Sequence, residues 1–284
     1  MKREDIEKSV RSLRPIDDGF MRVVMRDQPT LVEHVLRLVT GIELAVQRME
    51  TQRDLRALDG HRSLELDVWT TDTAGRKYNV EVQTGDSARP RRARYHASGL
   101  DVDALDAGQK FEMLPETYVV FIMEDDPYGF GAETYRFERA DQEHGIPLAD
   151  GAHVIYANAA CDATDELGKL LSDFLRSDPD EMLDPLMRER VQWLKNTEGG
   201  RHEMSSVFEQ IYEEGRQEGR EEGREEGRQE GREEGRQEGR EEGREETLVE
   251  NVRNLVERLR ITAAEALDVL GVPKPEQARY LSML

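Results

Sequence analysis

The sequence predicts an α/β protein: a mixed domain over roughly residues 1–200, then a long charged tail. Three observations carry that prediction. Two short runs, SLELDVWT and KYNVEVQ, alternate apolar and polar residues across the Gly-containing turn TDTAGR. The run TYVVFIM at 117–123 is continuously apolar and of strand length. Residues 213–246 carry no apolar side chain.

The elements follow in order. PTLVEHVLRLVTG at 29–41 reads as a helix, with Pro29 in the first turn, Leu31, Val35, Leu36 and Val39 at helical spacing, and Gly41 as the stop. LAVQRMETQ is a weak strand. In SLELDVWT the alternation predicts Leu64, Leu66 and Val68 on one face and Glu65, Asp67 and Trp69 on the other. In KYNVEVQ it sets Tyr78, Val80 and Val82 opposite Asn79, Glu81 and Gln83, and the two runs read as an antiparallel hairpin. RPRRARYHASGLDVDAL reads as a helix weakened by Gly99. TYVVFIM suits a buried central strand. ETYRFERA and AHVIYANA are further strands, and DELGKLLSDFLRSD (165–178) and DPLMRERVQWLKN further helices.

Composition narrows the function classes. The net charge is −21, and the residues before 213 still hold 41 acidic against 27 basic side chains. Electrostatic wrapping of nucleic acid over a broad surface is therefore not expected; any such contact must be local. The densest basic cluster is Arg89, Arg91, Arg92, Arg94 and His96. Cys161 is the single cysteine, so no intrachain disulfide forms, and it has no Cys or His nearby at ligand spacing. The opening MKREDIEKSVRSLRPIDD lacks an apolar signal core, and no run approaches the ~20 apolar residues of a spanning helix. The expectation is a soluble cytoplasmic protein with no membrane partner.

On paired strands, Asp67 directly opposite Glu81 would set two carboxylates ~5 Å apart on one face. Carboxylates that close repel unless a proton or divalent cation lies between them. Their oxygens are the donor type Mg²⁺ or Mn²⁺ prefers, and Gln83 could hold a water through its amide. The competing reading is a wet strand face, polar only because it meets solvent. For the arginines the competing reading is a solvated helix face paired with Asp86, Asp101 and Asp103. Trp69 would either stack on a base or pack at the sheet edge.

The arrangement LELDVW…GRKYNVEVQ, followed by RARYH and later YVVFIM, resembles the PD-(D/E)XK nuclease superfamily. Within it, the blocks RPIDDGFMRVVMRD…LVEHVLRLVTG and LDAGQKFEMLPETYVVFIMEDD and the Gly-Arg-Glu repeat resemble the recombination-promoting nuclease (Rpn) and transposase-associated group. The likeness spans essentially the whole chain. It implies a restriction-endonuclease-like αβββαβ core with added strands and helices, and Mg²⁺-dependent (or Mn²⁺-dependent) endonuclease cleavage of DNA phosphodiesters, tied to recombination. Asp67 matches the metal-binding aspartate and Glu81 the second acidic ligand. Gln83 falls where the superfamily usually has lysine, and an amide can only hydrogen-bond where an ammonium would offset phosphate charge. An upstream acid is implied, with Asp17, Asp18 and Glu33 all candidates. The Arg89–His96 cluster would anchor the DNA backbone. A catalytically weak or inactive descendant, binding DNA or protein and self-associating through its tail, is the alternative.

Residues 213–244 are eight tandem EEGR or QEGR tetrapeptides. Glu three residues before Arg supports helix, but i,i+4 pairs are like with like and each glycine costs ~1 kcal/mol against alanine. Two readings stand: a spacer or dimerising helix with a glycine stripe that drifts ~40° per repeat, or a partly disordered charged linker. Beyond it, Leu248, Val252, Leu255 and Leu259 have near-heptad spacing, and AAEALDVLG and PEQARYLSML read as a helical pair. The expected divisions are 1–200, 201–246 and 247–284.

Overall fold

A computed structural model describes residues 11–55, 64–85 and 90–284. The chain divides into two compact units, Met1–Ile211 and Tyr212–Leu284. The first is a mixed α/β unit around a six-stranded sheet ordered β1-β2-β3-β4-β6-β5. The strands are β1 (Val46–Leu55), β2 (Leu64–Asp72), β3 (Lys77–Gln83), β4 (Thr117–Met123), β5 (Thr134–Phe137) and β6 (Ala152–Asn158). β1, β2 and β3 are antiparallel, β3, β4 and β6 run parallel, and β5 closes the far edge antiparallel to β6.

Helices cover both faces, which is why β4 is buried along its whole length. On one face lie α1 (Asp18–Met25), α2 (Pro29–Thr40), α4 (Glu166–Asp173) and α5 (Pro185–Asn196). Their apolar stripes join Tyr78, Val80, Val82, Val120, Ile122 and Ile155 in the larger core. On the other face α3 (Pro90–Ala104) packs Ala93 and Leu100 against Leu66, Trp69, Phe121 and Tyr156. The predicted weak point in α3 has a packing reason: a Cβ at Gly99 would come within 2.3 Å of the Leu64 side chain.

Local chemistry sets the ends of these elements. Pro29 opens α2 and Gly41 closes it at φ 73°, a left-handed position that glycine adopts freely. The β2–β3 turn is tied by Asp72, whose carboxylate accepts from the backbone N–H groups of Ala74 and Arg76 and from the Tyr78 hydroxyl. The helix expected over 165–178 ends at Asp173. There the Asp173 carboxylate accepts the backbone N–H groups of Leu183 and Asp184, which turns the chain toward α5. Asp184 in turn caps α5 by accepting from Met187.

One face assignment is corrected. Leu64 and Leu66 join the same cluster as Trp69, whereas Val68 joins the opposite one. The alternation of β2 therefore changes phase between Leu66 and Val68. Gln52, which the β1–β2 register places across from Asp67, has φ 57°, a left-handed conformation uncommon for a side-chain-bearing residue. Both faces of β2 are buried, so the apolar pattern alone could not show the shift.

In backbone, α6 runs from Glu198 to Leu259 through the tetrapeptide repeat. In the second unit Val252 of α6 is buried against Ala266 and Leu267 of α7 (Ala263–Val269), with Leu255 and Tyr280 of α8 (Lys274–Leu281) packed beside them. Thr262 and Glu265 form a reciprocal capping box at the start of α7. The heptad-like face is thus used in part within the chain, while Leu259 remains exposed. Among the described residues no helix is long and apolar enough to cross a membrane.

Candidate active site on the central hairpin

The β2–β3 ladder pairs Thr71 with Lys77 through to Val68 with Val80. The ladder ends there, one residue short of Asp67 and Glu81, so the direct cross-strand pairing that strand spacing predicted is not formed. Here β2 departs from β3, which continues beside β4 to Gln83. At the departure the Asp67 backbone N–H donates to Glu81 Oε1 at 3.3 Å. The Asp67 carboxylate meets Arg22 of α1 at 3.4 Å. Glu81 instead faces α3: Arg92 donates to its Oε2 at 2.9 Å, Asn79 donates to Oε1 at 2.8 Å, and His96 Nδ1 lies 3.3 Å from Oε1. Asp67 is thus held from α1 and Glu81 from α3, on opposite sides of the sheet and not on the one shared face that strand alternation predicted, because β2 changes phase here.

Their charges respond in opposite directions. Burial, and then the negative charges of Glu81 and Asp18, push the Asp67 carboxyl well above its usual range, against the pull of Arg22 and Arg92. Burial would also raise Glu81, but hydrogen bonds from His96 and Asn79, with the Arg92 charge, hold it below its ordinary value. One carboxylate is kept ionised and the other is poised to take a proton or a cation, as in sites where two acids take different roles.

The candidates for the upstream acid separate. Asp18 shares Arg22 with Asp67, through contacts of 3.0 and 3.1 Å, and contributes to the field at Asp67. Asp17 pairs with Arg14, which also binds Glu124. Glu33 accepts the Val46 backbone N–H at 2.6 Å. Gln83 accepts from Arg92 at 2.8 Å. In donor type, Asp67, Glu81 and Asp18 fit a hard divalent cation, and the excess of buried negative charge at Asp67 is what such an ion relieves. Among the described residues no three His, Cys, Asp or Glu side chains converge as a preassembled metal cage.

The basic cluster splits. Arg89 and Asp86 lie outside the described residues. Arg91 and Arg94 are exposed on α3. His96 is buried beneath the helix, with Arg92 Nε 3.3 Å from its Nε2, so it supports Glu81 rather than forming part of a surface cation patch. Asp103 pairs with Arg53 and Lys77, not with the α3 arginines. Trp69 is buried, with the Arg53 guanidinium 3.9 Å from its ring centre, so it packs and offers no open stacking face. Cys161 is a buried thiol whose pKa burial pushes up.

Sequence reasoning missed Arg22, Glu65 and Asn79. The i,i+4 spacing of Asp18 and Arg22 in IDDGFMR was a readable sign of an ion pair. Its extension to Glu65 at 3.0 Å and to Asp67 was not, because those residues lie far along the chain. Comparison of the chain with protein-family models, with curated proteins and with solved structures gives no match.

Proposed function

We propose that the protein is a metal-dependent DNA endonuclease of the PD-(D/E)XK type, Rpn-like, acting on phosphodiester bonds in recombination. The observation that carries this reading is two adjacent buried acids, Asp67 and Glu81, linked by the Asp67 N–H to Glu81 Oε1 at 3.3 Å just past the end of the β2–β3 ladder. The order α2, β1, β2, β3, α3, β4 supports a restriction-endonuclease-like αβββαβ core.

Asp67 and Glu81 would hold Mg²⁺ or Mn²⁺, with Asp18, both of whose oxygens Arg22 grips, adding negative charge beside them. A cation there supplies an acidified water and offsets phosphate charge. Around it the chain's own groups divide the work. His96, Asn79 and Arg92 keep Glu81 ionised and fixed. Gln83 is oriented by Arg92 and can position a water or a phosphate oxygen by hydrogen bonding. Arg91 and Arg94 present charge on the outer face of α3, where they can draw a polyanion locally despite the acidic chain.

Plasmid nicking with Mg²⁺ or Mn²⁺ tests this. Wild-type protein cleaves, and Asp67→Ala and Glu81→Ala both lose the activity; equal cleavage by all three rejects the site. A second reading, a DNA- or protein-binding module without catalysis, is favoured by Gln83 in place of lysine and by guanidinium groups seated on both acids. It predicts no cleavage, but salt-sensitive DNA binding that depends on Arg91 and Arg94. The tail is proposed to mediate self-association in either case.

A further inference from the structure

Arg22 makes contacts the proposed chemistry does not use. Its Nε and Nη2 fork onto Asp18 at 3.0 and 3.1 Å, Nη1 donates to Glu65 at 3.0 Å, and Nη2 reaches Asp67 at 3.4 Å. The side chain is only 14% exposed. One guanidinium therefore serves three carboxylates, and Asp67 is its longest and weakest arm. The two-pronged grip on Asp18 and the bond to Glu65 fix the group beside Asp67 whether or not the third contact is made. Arg22 thus occupies the approach to the carboxylate that a cation would need, while remaining tethered if displaced from it.

We propose that Arg22 competes with the divalent cation for Asp67, so that metal loading requires the guanidinium to release this one arm. The inference rests on the nuclease reading for the location of the metal, and it adds a restraint on loading. A guanidinium freed from Asp67 but still held by Asp18 and Glu65 lies next to the cation, where an incoming phosphate can take the vacated hydrogen bond. Arg22 is a positioning residue in this scheme, since it governs which partner Asp67 faces.

The test is Mn²⁺ titration of the full-length protein by calorimetry, comparing wild type, Arg22→Gln and Arg22→Lys, with Asp67→Asn as the control that locates the site. Removing the competitor is expected to tighten Mn²⁺ binding about tenfold in Arg22→Gln. Arg22→Lys keeps the charge but loses the fork, and falls between the two; it carries the comparison if the glutamine variant does not fold. An unchanged or weaker affinity in a folded Arg22 variant overturns the proposal. The two readings separate cleanly. Tighter Mn²⁺ binding with no DNA cleavage by any variant keeps the competition and removes the nuclease. Equal affinities with metal-dependent cleavage by wild type do the reverse. If no variant binds Mn²⁺, both fall.

Discussion

At the scale of single residues, the site is defined by conflict. Asp67 is buried beside Glu81 and Asp18, so its native carboxyl titrates well above its unfolded value. The folded state then binds the additional proton, and stability falls as pH rises from the unfolded pKa through the raised one. Asp67→Asn removes that conflict while Arg22 keeps Asp18 and Glu65. Its midpoint of thermal unfolding should exceed wild type by about 2–4 °C at neutral pH, and the gap should close in acid; a lower midpoint at neutral pH would show that Asp67 stabilises the fold. This residue was legible because acids on two neighbouring strands stood out against apolar neighbours. The reach of Arg22 to Asp67 was not, since an ion pair across separate elements leaves no local pattern. Asn79 shares a strand face with Glu81 two residues on, and was missed only because an amide there reads as an ordinary polar position. His96 looked like part of a basic patch because helical spacing fixes a face but not which face is buried.

At the scale of elements, the glycines show how sequence and packing diverge. In a helix each glycine costs ~1 kcal/mol relative to alanine, so substitution should stabilise wherever space exists. At the start of α6 a Cβ on Gly200 would fall 2.2 Å from the Trp193 carbonyl oxygen and 2.4 Å from Leu194 Cα, both backbone atoms that cannot yield. Gly199 meets only the Trp193 ring, at 3.3 Å. Denaturant unfolding should therefore show Gly200→Ala destabilised by about 2 kcal/mol and Gly199→Ala within about 1 kcal/mol of wild type. Comparable losses at both positions would contradict the packing at the α5–α6 junction. The hairpin, α2 and the buried β4 were readable from periodicity and turn residues. The phase change of β2 was hidden because Leu66 and Val68 look alike to a pattern rule while serving different cores.

At the scale of the whole molecule, the two units make separable contributions. The first holds every proposed catalytic group, and the second has its own small core around Val252, Ala266 and Leu267. A chain ending at Ile211 should retain metal-dependent nicking, and sedimentation should find it monomeric where the full chain is dimeric; a full chain that also sediments as a monomer would remove the tail's proposed role. Composition forecast the charged repeat but left helix and linker equally open, because its local pairing and its glycines pull in opposite directions. In backbone the repeat is helical.

The most direct measurement is the rate of supercoiled plasmid nicking in Mg²⁺ by wild type and by Glu81→Gln, which removes the charge at nearly constant shape. If the two buried acids form a phosphodiester-cleaving site, wild type nicks only with the metal present and the glutamine variant is slower by about 100-fold or more. Equal rates for the two proteins, or nicking by wild type that persists in chelator, would contradict it.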